Sequence, residues 1–248
     1  FSPELFRNPV ISITYEPGST LKVVVMAAAL DAKVITPTSI CEACSGPVVI
    51  GDKTVRSWND KYYHHSTMTD VILHSDNVGM VYVSRKLGKE KLHKYFKTFG
   101  LDNLTGIDLE GEVAPSLRPE NQWRDIDLAV SSFGQGIAVT PLQMLRAVST
   151  IANGGRLVTP HLVNKIISPS LIKTLPVQTA PRIISEVAAA QITQMMVNGV
   201  NQGEVRYYKP PGFLIAGKTG TSQVPIEGHY DKDQVIASFI GFAPVDNP

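Results

Sequence analysis

A serine and a lysine stand three residues apart where a long apolar stretch of this 248-residue chain begins. Pro17-Gly18 is a breaker pair that ends any preceding helix or strand. Ser19 is then expected to begin a helix that continues through the apolar run 23–30. Residues three apart lie on one helix face, so Lys22 is expected to bring its amine within hydrogen-bond reach of the Ser19 hydroxyl. The unpaired N–H groups at a helix start favour a neutral amine and can stabilise an oxyanion. The pair therefore predicts a serine nucleophile beside its base.

Two further polar clusters follow in the chain. Ser75-Asp76-Asn77 interrupts a helix, because all three residue types compete for their own backbone and favour turns. Lys218-Thr219-Gly220 lies on a predicted strand near the end of the chain. Each cluster alone is a weak signal, and Ser19 with Lys22 alone also fits a helix cap followed by a solvated lysine. The order of the three clusters carries more information than any one of them.

The apolar pattern around these clusters predicts an α+β fold, with helices first and strands last. Their spacing and caps predict helices over residues 67–73, 78–87, 89–99 and 141–152, and from Ser185 onwards. The two main strands are predicted over residues 213–223 and 234–243, joined by a polar loop at 225–233. A small hairpin is predicted to turn at Gly51-Asp52. Residues 101–123 are predicted to form a long loop of the kind that often borders a site.

Composition sets limits on the function. Hydrophobic residues make up 43% of the chain and charged residues 18%, which is typical of a globular protein. The length suits one domain with a full core, and no linker divides it. The formal net charge of +1 gives no general attraction for nucleic acid. The longest apolar run, residues 23–30, is too short to cross a bilayer.

Two local patterns have more than one interpretation. Residues 212–219 match the phosphate-loop pattern G-x-x-x-x-G-K-[ST], but this motif needs a helix that begins at the lysine. Residues 220–225 contain Gly, Ser and Pro and oppose such a helix, which argues against nucleotide binding. Cys41 and Cys44 form a C-x-x-C pair that fits a small-loop disulfide, two plain thiols, or part of a zinc site that lacks two ligands.

The ordered trio S-x-x-K, S-D-N and K-T-G is typical of penicillin-recognising serine enzymes. The chain resembles the transpeptidase domain of class B penicillin-binding proteins. The resemblance spans nearly the whole chain, because it extends to the following segments: YEPGST at 15–20, TGIDL at 105–109, GQG at 134–136, TPLQ at 140–143 and ASFIGFAP at 237–244.

The resemblance implies a role for each site residue. Ser19 would attack the carbonyl of the D-Ala-D-Ala bond of a peptidoglycan stem peptide, Lys22 would take its proton, and Ser75 would relay a proton to the leaving amine. The substrate amide and its terminal carboxylate, or the β-lactam counterpart, would be bound by Asn77, Lys218, Thr219, Gly220 and Thr221. The backbone N–H groups of Ser19 and Thr221 would form the oxyanion hole. An ester intermediate that must persist until an amine arrives requires a base near the nucleophile, a proton relay to the leaving group and a cation that binds the carboxylate.

The resemblance also implies the setting of the domain. It implies a β-lactamase/transpeptidase-like fold, in which helices flank an antiparallel sheet beside a helical subregion, with no cofactor and no metal. The expected partners are stem peptides, β-lactam antibiotics, a glycosyltransferase and other cell-wall machinery proteins, with no nucleic acid. The catalytic domain would lie on the periplasmic or extracellular side of the cell membrane, with its anchor outside this chain. The family's sheet uses strands beyond both ends of residues 1–248, so the domain is expected to be clipped at both ends.

Two other functions stay open at this point. A class A β-lactamase shares the second cluster, and Glu112 lies about where its hydrolytic glutamate would be sought. The asparagine expected four residues later is absent, and residues 111–116 fit the transpeptidase pattern instead. The other alternative is a sensor or scaffold that keeps the site to bind β-lactams or partner proteins without catalysis.

Overall fold

The computed structural model describes residues 2–176, 179–226 and 229–248. Over these residues, the α-helices are α1 (Pro9–Ser12), α2 (Lys22–Asp31), α3 (Met68–Leu73), α4 (Asn77–Leu87), α5 (Lys89–Thr98), α6 (Asp125–Ser131), α7 (Pro141–Ala152) and α8 (Glu186–Gln202). The strands are β1 (Val48–Ile50), β2 (Lys53–Val55), β3 (Arg156–Val158), β4 (Lys165–Ser168), β5 (Leu171–Thr174), β6 (Thr179–Arg182), β7 (Ala216–Ile226) and β8 (His229–Phe242). Short 3₁₀ helices lie at Pro3–Phe6, Gly18–Leu21, Glu120–Gln122 and Glu204–Tyr208. The predicted α+β class is confirmed.

Helix α2 lies at the centre of the core. All its residues from Lys22 to Leu30 are buried, because the run is apolar on every side apart from the lysine. Helices α4, α7 and α8 pack around it. Fully burying one side chain such as Met26 stabilises the fold by about 1.5–3 kcal/mol. Lys22 is carried into the interior by this packing.

The predicted break between two helices is present at the second cluster. Helix α3 begins at a capping box in which Thr67 N–H donates to the Asp70 carboxylate at 2.8 Å and Asp70 N–H donates to the Thr67 hydroxyl at 3.2 Å. Ser75 then adopts a left-handed conformation with φ of +54°. Asp76 caps α4 by accepting a hydrogen bond from Val78 N–H at 2.9 Å. The turn therefore presents Ser75 and Asn77 between two helices.

Helices α7 and α8 also begin at the predicted residues. Thr140 caps α7 in a capping box with Gln143, and proline occupies the first helical position. Ser185 caps α8, and its own N–H donates to the Asp31 carboxylate at 2.7 Å. This last bond ties the start of α8 to the end of α2, which fixes how the two core helices meet.

Strands β7 and β8 form one long antiparallel hairpin, from Ala216 opposite Phe242 to Ile226 opposite His229. Two predictions are wrong here. The first strand begins at Ala216 and not at Phe213, because two prolines and Gly212 at φ +82° form a turn before it. The predicted polar loop at 225–233 is mostly strand, since backbone pairing across the hairpin outweighs the local polarity. Residues 227–228 of that prediction lie outside the described residues.

The cysteines form a disulfide. The Cys41 and Cys44 sulfurs are 2.03 Å apart, and both residues are buried. Of the three interpretations, the disulfide is therefore the one observed. Strands β1 and β2 follow as the predicted hairpin around Gly51-Asp52, with Ile50 paired to Lys53.

Within the described ranges, no helix has the length and apolar character needed to cross a membrane. The same part of the chain contains no cluster of three or more His, Cys, Asp or Glu side chains arranged to hold a metal ion. Lys218 lies in strand β7, so the helix that a phosphate loop requires does not begin there.

Candidate active site

The amine of Lys22 connects the first cluster to the second. Its Nζ is 2.7 Å from the Ser75 carbonyl oxygen, 3.2 Å from Ser75 Oγ and 2.8 Å from Asn77 Oδ1. Lys22 is fully buried, whereas Ser19, Ser75 and Asn77 are partly exposed. A substrate in the solvent-accessible space beside Ser19, Ser75 and Asn77, here called the groove, can therefore reach the two serines, whereas the lysine lies in the protein interior.

The surroundings of Lys22 favour its neutral form. Burial lowers its pKa well below the ordinary 10.5, the nearby Lys218 ammonium lowers the pKa further, and the Asp76 carboxylate partly opposes both. The Ser75 carbonyl and the Asn77 amide oxygen can only accept hydrogen bonds, but the Ser75 hydroxyl can also donate. A neutral amine, with its N–H groups and one lone pair, can satisfy all three neighbours and still act as a base.

Ser19 lies in a 3₁₀ turn and not at the cap of α2. The turn spans Gly18–Leu21, and Leu21 occupies the position before the first residue of the α-helix. The predicted contact between Lys22 and Ser19 is also different, because the hydrogen bonds of Nζ among the described residues all go to Ser75 and Asn77. The tighter 3₁₀ turn changes the angle between the two side chains. The pair stays three residues apart on adjacent turns, with Ser75 between the lysine and the groove.

Glycines allow the 3₁₀ turn Gly18–Leu21, here called the nucleophile turn because it carries Ser19, to pack closely against its neighbours. Gly18 N–H donates to the Gly134 carbonyl at 3.0 Å. A Cβ on Gly134 would overlap the Gly18 carbonyl oxygen and lie 2.6 Å from the Gly18 nitrogen. Gly134 also has a φ of +84°, which only glycine adopts at low cost. The GQG segment at 134–136 therefore packs directly against the nucleophile turn.

Replacing Gly134 with alanine should displace this turn. We expect the rate of acylation by a fluorescent penicillin to fall at least about tenfold, since sub-ångström misplacement of a nucleophile is costly. Gly111→Ala is the matched control, because Gly111 has a similar φ of +82° but has no neighbour within 4 Å of a Cβ. Gly111→Ala should lose about 1–2 kcal/mol of unfolding free energy from backbone strain, and Gly134→Ala should lose more because its Cβ also overlaps the Gly18 backbone. Equal acylation rates for the two variants would show that the close contact is unimportant.

The third cluster lies on β7 beside the same turn. A Cβ on Gly220 would be 2.8 Å from Thr20 Cγ2 and 3.3 Å from the Pro17 carbonyl oxygen, so this glycine allows the strand to approach the turn. Thr219 and Thr221 are exposed on one face of the strand, whereas Lys218 is buried on the other. The structure thus gives Gly220 a packing role and brings all three clusters together.

Lys218 remains a cation in this position at neutral pH. Burial lowers its pKa to about 8, and the Glu204 carboxylate partly offsets this effect. Its ammonium donates to the carbonyl of Thr219 at 3.1 Å. A protonated lysine is suited to binding a carboxylate, but the Lys218 side chain is buried on the opposite face of β7 from Thr219 and Thr221.

Sequence reasoning missed several residues that support the site. The Asp76 carboxylate accepts from Ser57 Oγ at 2.9 Å, and Asn77 Nδ2 donates to the Arg56 carbonyl at 3.1 Å. These bonds hold the segment after β2 against the second cluster. The patterns around Arg56 and Ser57 gave no signal for this contact, because it joins residues about twenty positions apart through a tertiary fold.

Glu112 has a structural role. Its carboxylate accepts from Thr105 N–H at 2.8 Å, from Gly106 N–H at 3.2 Å and from the Thr105 hydroxyl. It therefore holds the TGIDL segment in shape. Three donors of its own neighbouring segment therefore occupy the Glu112 carboxylate.

The chain is similar to several known proteins. A family model described as the penicillin binding protein transpeptidase domain matches residues 2–248. The chain is 38% identical over 245 residues to stage V sporulation protein D of Bacillus subtilis, which covers 98% of this chain and 38% of that protein. It is 30% identical to a peptidoglycan D,D-transpeptidase FtsI homolog of Mesostigma viride, over 100% of this chain and 46% of that protein. The chain thus spans less than half the length of these relatives.

Solved structures show the same fold. Penicillin binding protein 3 of Mycobacterium tuberculosis in complex with aztreonam superimposes with a TM-score of 0.89 at 31% identity, over 97% of this chain and 56% of that one. The apo transpeptidase domain of penicillin-binding protein 3 from Burkholderia pseudomallei gives a TM-score of 0.87 at 29% identity, over 98% of this chain and 71% of that one.

Proposed function

Because this chain belongs to the penicillin-binding protein transpeptidase family, we propose that it is a peptidoglycan D,D-transpeptidase that works through a serine acyl-enzyme. The observation that carries this proposal is the buried Lys22 amine, which contacts Ser75 and Asn77 beneath the turn that holds Ser19. A buried lysine with a lowered pKa that contacts Ser75 and lies three residues after Ser19 is suited to proton transfer and serves no evident purpose in packing.

Acylation would proceed as follows. Ser19 Oγ attacks the carbonyl carbon of the D-Ala-D-Ala bond, and its proton passes to the Lys22 amine. The backbone N–H groups of Ser19 and Thr221 stabilise the oxyanion. The C–N bond then breaks, and a proton passes through the Ser75 hydroxyl to the departing D-alanine amine. The contact of Ser75 Oγ with Lys22 Nζ at 3.2 Å supports this relay.

Deacylation would complete the cross-link. The amine of a second stem peptide attacks the ester, loses a proton to the same base, and restores the Ser19 hydroxyl while the new amide leaves. Water must not compete in this step. The engagement of Glu112 by its neighbours supports transfer to an amine over hydrolysis, and thus a transpeptidase over a class A β-lactamase.

Substrate binding would use the remaining residues of the clusters. Lys218, Thr219 and Thr221 would bind the terminal carboxylate, or the carboxylate of a β-lactam, and Asn77 would hold the substrate amide. Gly220 would keep the strand close to the nucleophile turn. The proximity of the Lys218 charge to Lys22 supports this assignment, because one bound peptide can then meet both.

The wider setting is part of the same proposal. The domain would act at the outer side of the cell membrane, together with a glycosyltransferase and other cell-wall proteins. It needs no metal or other cofactor for the steps above. A non-catalytic sensor of β-lactams remains the alternative, since it would retain the same acylation chemistry.

Mass spectrometry after exposure to benzylpenicillin tests the proposal. We expect one covalent adduct per chain that persists for much longer than it takes to form, together with turnover of a stem-peptide thioester in the presence of an amine acceptor. A rapid loss of the adduct over many cycles would indicate a β-lactamase. A persistent adduct without thioester turnover would indicate a sensor.

A further inference from the structure

One carboxylate joins three parts of the chain beside the nucleophile turn. Glu16 lies three residues before Ser19, and its Oε1 accepts a hydrogen bond from Gly136 N–H at 2.9 Å. The Tyr230 hydroxyl lies 3.2 Å from Oε1 and 3.0 Å from Oε2 of the same carboxylate and donates to it. Segments 120 and 214 residues away in sequence therefore meet at Glu16.

The bond from Tyr230 is not needed to hold the nucleophile turn. Tyr15 and Val139 already exchange two backbone hydrogen bonds of 2.9 and 3.0 Å, and Gly18 N–H donates to the Gly134 carbonyl at 3.0 Å. These bonds tie the turn to the segment 134–139. What Tyr230 adds is a tie from Glu16 to strand β8.

Tyr230 lies far along the hairpin from the reacting residues. It pairs with Pro225 of β7, beyond an irregularity in register between Gln223 and Pro225. Pro225 is four residues past Thr221, or about 13 Å along the strand. Among the described residues, β7 and β8 form a sheet of two strands. The hydrogen bonds of Tyr230 to Glu16 tie this distal part of the hairpin back to the turn that carries Ser19.

We propose that Glu16 and Tyr230 form a latch that fixes the far end of the β7–β8 hairpin along the groove, where it positions the part of an extended peptide that lies beyond the reacting bond. The proposal rests on the proposed function, and both residues act as positioning residues. An extended peptide that binds along β7 would contact the strand at intervals, including the part of β7 beyond Thr221. The latch is thus expected to matter for long peptides and not for compact β-lactams.

The chemistry of the pair suits a permanent contact. Burial raises the pKa of Tyr230 to about 12, and the neighbouring Glu16 carboxylate contributes to the shift. The hydroxyl therefore keeps its proton at neutral pH and remains a donor. Burial also raises the pKa of Glu16, against the opposing effect of the bonds from Gly136 and Tyr230.

Tyr230→Phe tests the latch, because it removes the hydroxyl and keeps the ring. We expect deuterium exchange of the backbone over residues 223–235 to become at least about fivefold faster. The KM for a pentapeptide-length thioester should rise roughly tenfold with kcat within about twofold, as a lost hydrogen bond to a charged group predicts. Acylation by benzylpenicillin should stay within about twofold.

Tyr208→Phe is the matched control, since Tyr208 is 86% exposed and the change is chemically identical. Unchanged exchange over residues 223–235 in Tyr230→Phe would overturn the latch, whatever the activity of the chain. An equal loss with the thioester and with benzylpenicillin would overturn its role in positioning long peptides. A wild-type chain that benzylpenicillin does not acylate would overturn the proposed function instead, and the exchange data would still decide whether the latch exists.

Discussion

Replacing Ser19 with alanine should abolish the covalent adduct with β-lactams. The variant retains Lys22 and the other clusters, but it has no oxygen to form the ester, so adduct formation should fall by a factor on the order of 10⁶. The fold should be unaffected, since Ser19 is partly exposed and its side chain makes no hydrogen bond to the described residues. The measurement is mass spectrometry of the intact chain after exposure to benzylpenicillin, with the melting temperature recorded in parallel.

Ser75→Ala separates the nucleophile from the relay. This variant keeps the Ser19 hydroxyl, so an adduct should still form, but more slowly, because the proton path to the leaving group is broken. Peptide mapping should place that adduct on Ser19. An adduct on any other serine, or one that survives in Ser19→Ala, would contradict the assignment of the nucleophile.

Local signals in the sequence were enough to predict the helices. The pairs Thr67 with Asp70 and Thr140 with Gln143 lie three residues apart, and each pair forms a capping box in the structure. These features depend on neighbours within one turn, and the sequence displays them directly. The starts of α3, α4, α5, α7 and α8 could therefore be located to within a residue or two, whereas α1 and α6 were not predicted.

Local reasoning failed where the backbone geometry was decided by distant partners. The segment 225–233 is polar and was predicted to be a loop, yet β7 and β8 continue into it because their ladder of hydrogen bonds extends from the core end of the hairpin. The contact expected between Ser19 and Lys22 was based on an ideal α-helix. The 3₁₀ turn at Gly18–Leu21 replaces that geometry, because the turn must also fit against Gly134 and β7.

The site itself was predictable only as a list of residues. The three clusters could be named from their order, but the contact of Lys22 with Ser75 joins residues 53 positions apart. The contact of Glu16 with Tyr230 spans 214 positions and belongs to none of the three motifs. Such pairs follow from how α2, α4 and the hairpin pack together, and no periodicity in the sequence reports on that packing.

Packing also sets the protonation of the proposed base. Asp76 is buried beside the site, where its Oδ1 accepts from Ser57 Oγ and Val78 N–H and its Oδ2 has no partner among the described residues. Its negative charge raises the pKa of Lys22, while burial and Lys218 lower it. The neutral form of Lys22 therefore reflects a balance in which burial is the largest effect.

Replacing Lys22 with arginine should nearly eliminate acylation. A guanidinium group has a pKa above about 12 and cannot accept the proton of Ser19, so the rate should fall by a factor on the order of 10³ or more. In the wild-type chain, the fraction of neutral amine grows as the pH rises through the lowered pKa of Lys22. The acylation rate should therefore increase with pH through the lowered pKa of Lys22, and it should fall again above about pH 8, where Lys218 loses the charge that would bind the carboxylate.

Asp76→Asn provides the matched test of this pH dependence. Asparagine can still cap α4, but it lacks the negative charge that raises the pKa of Lys22. The midpoint of the rising limb of the pH–rate profile for acylation by a chromogenic cephalosporin should consequently move to lower pH, while the maximal rate changes little. Stopped-flow measurements at a series of pH values below the ordinary lysine pKa of 10.5 would resolve the shift. A midpoint that moves to higher pH, or an arginine variant that acylates at the wild-type rate, would exclude Lys22 as the base.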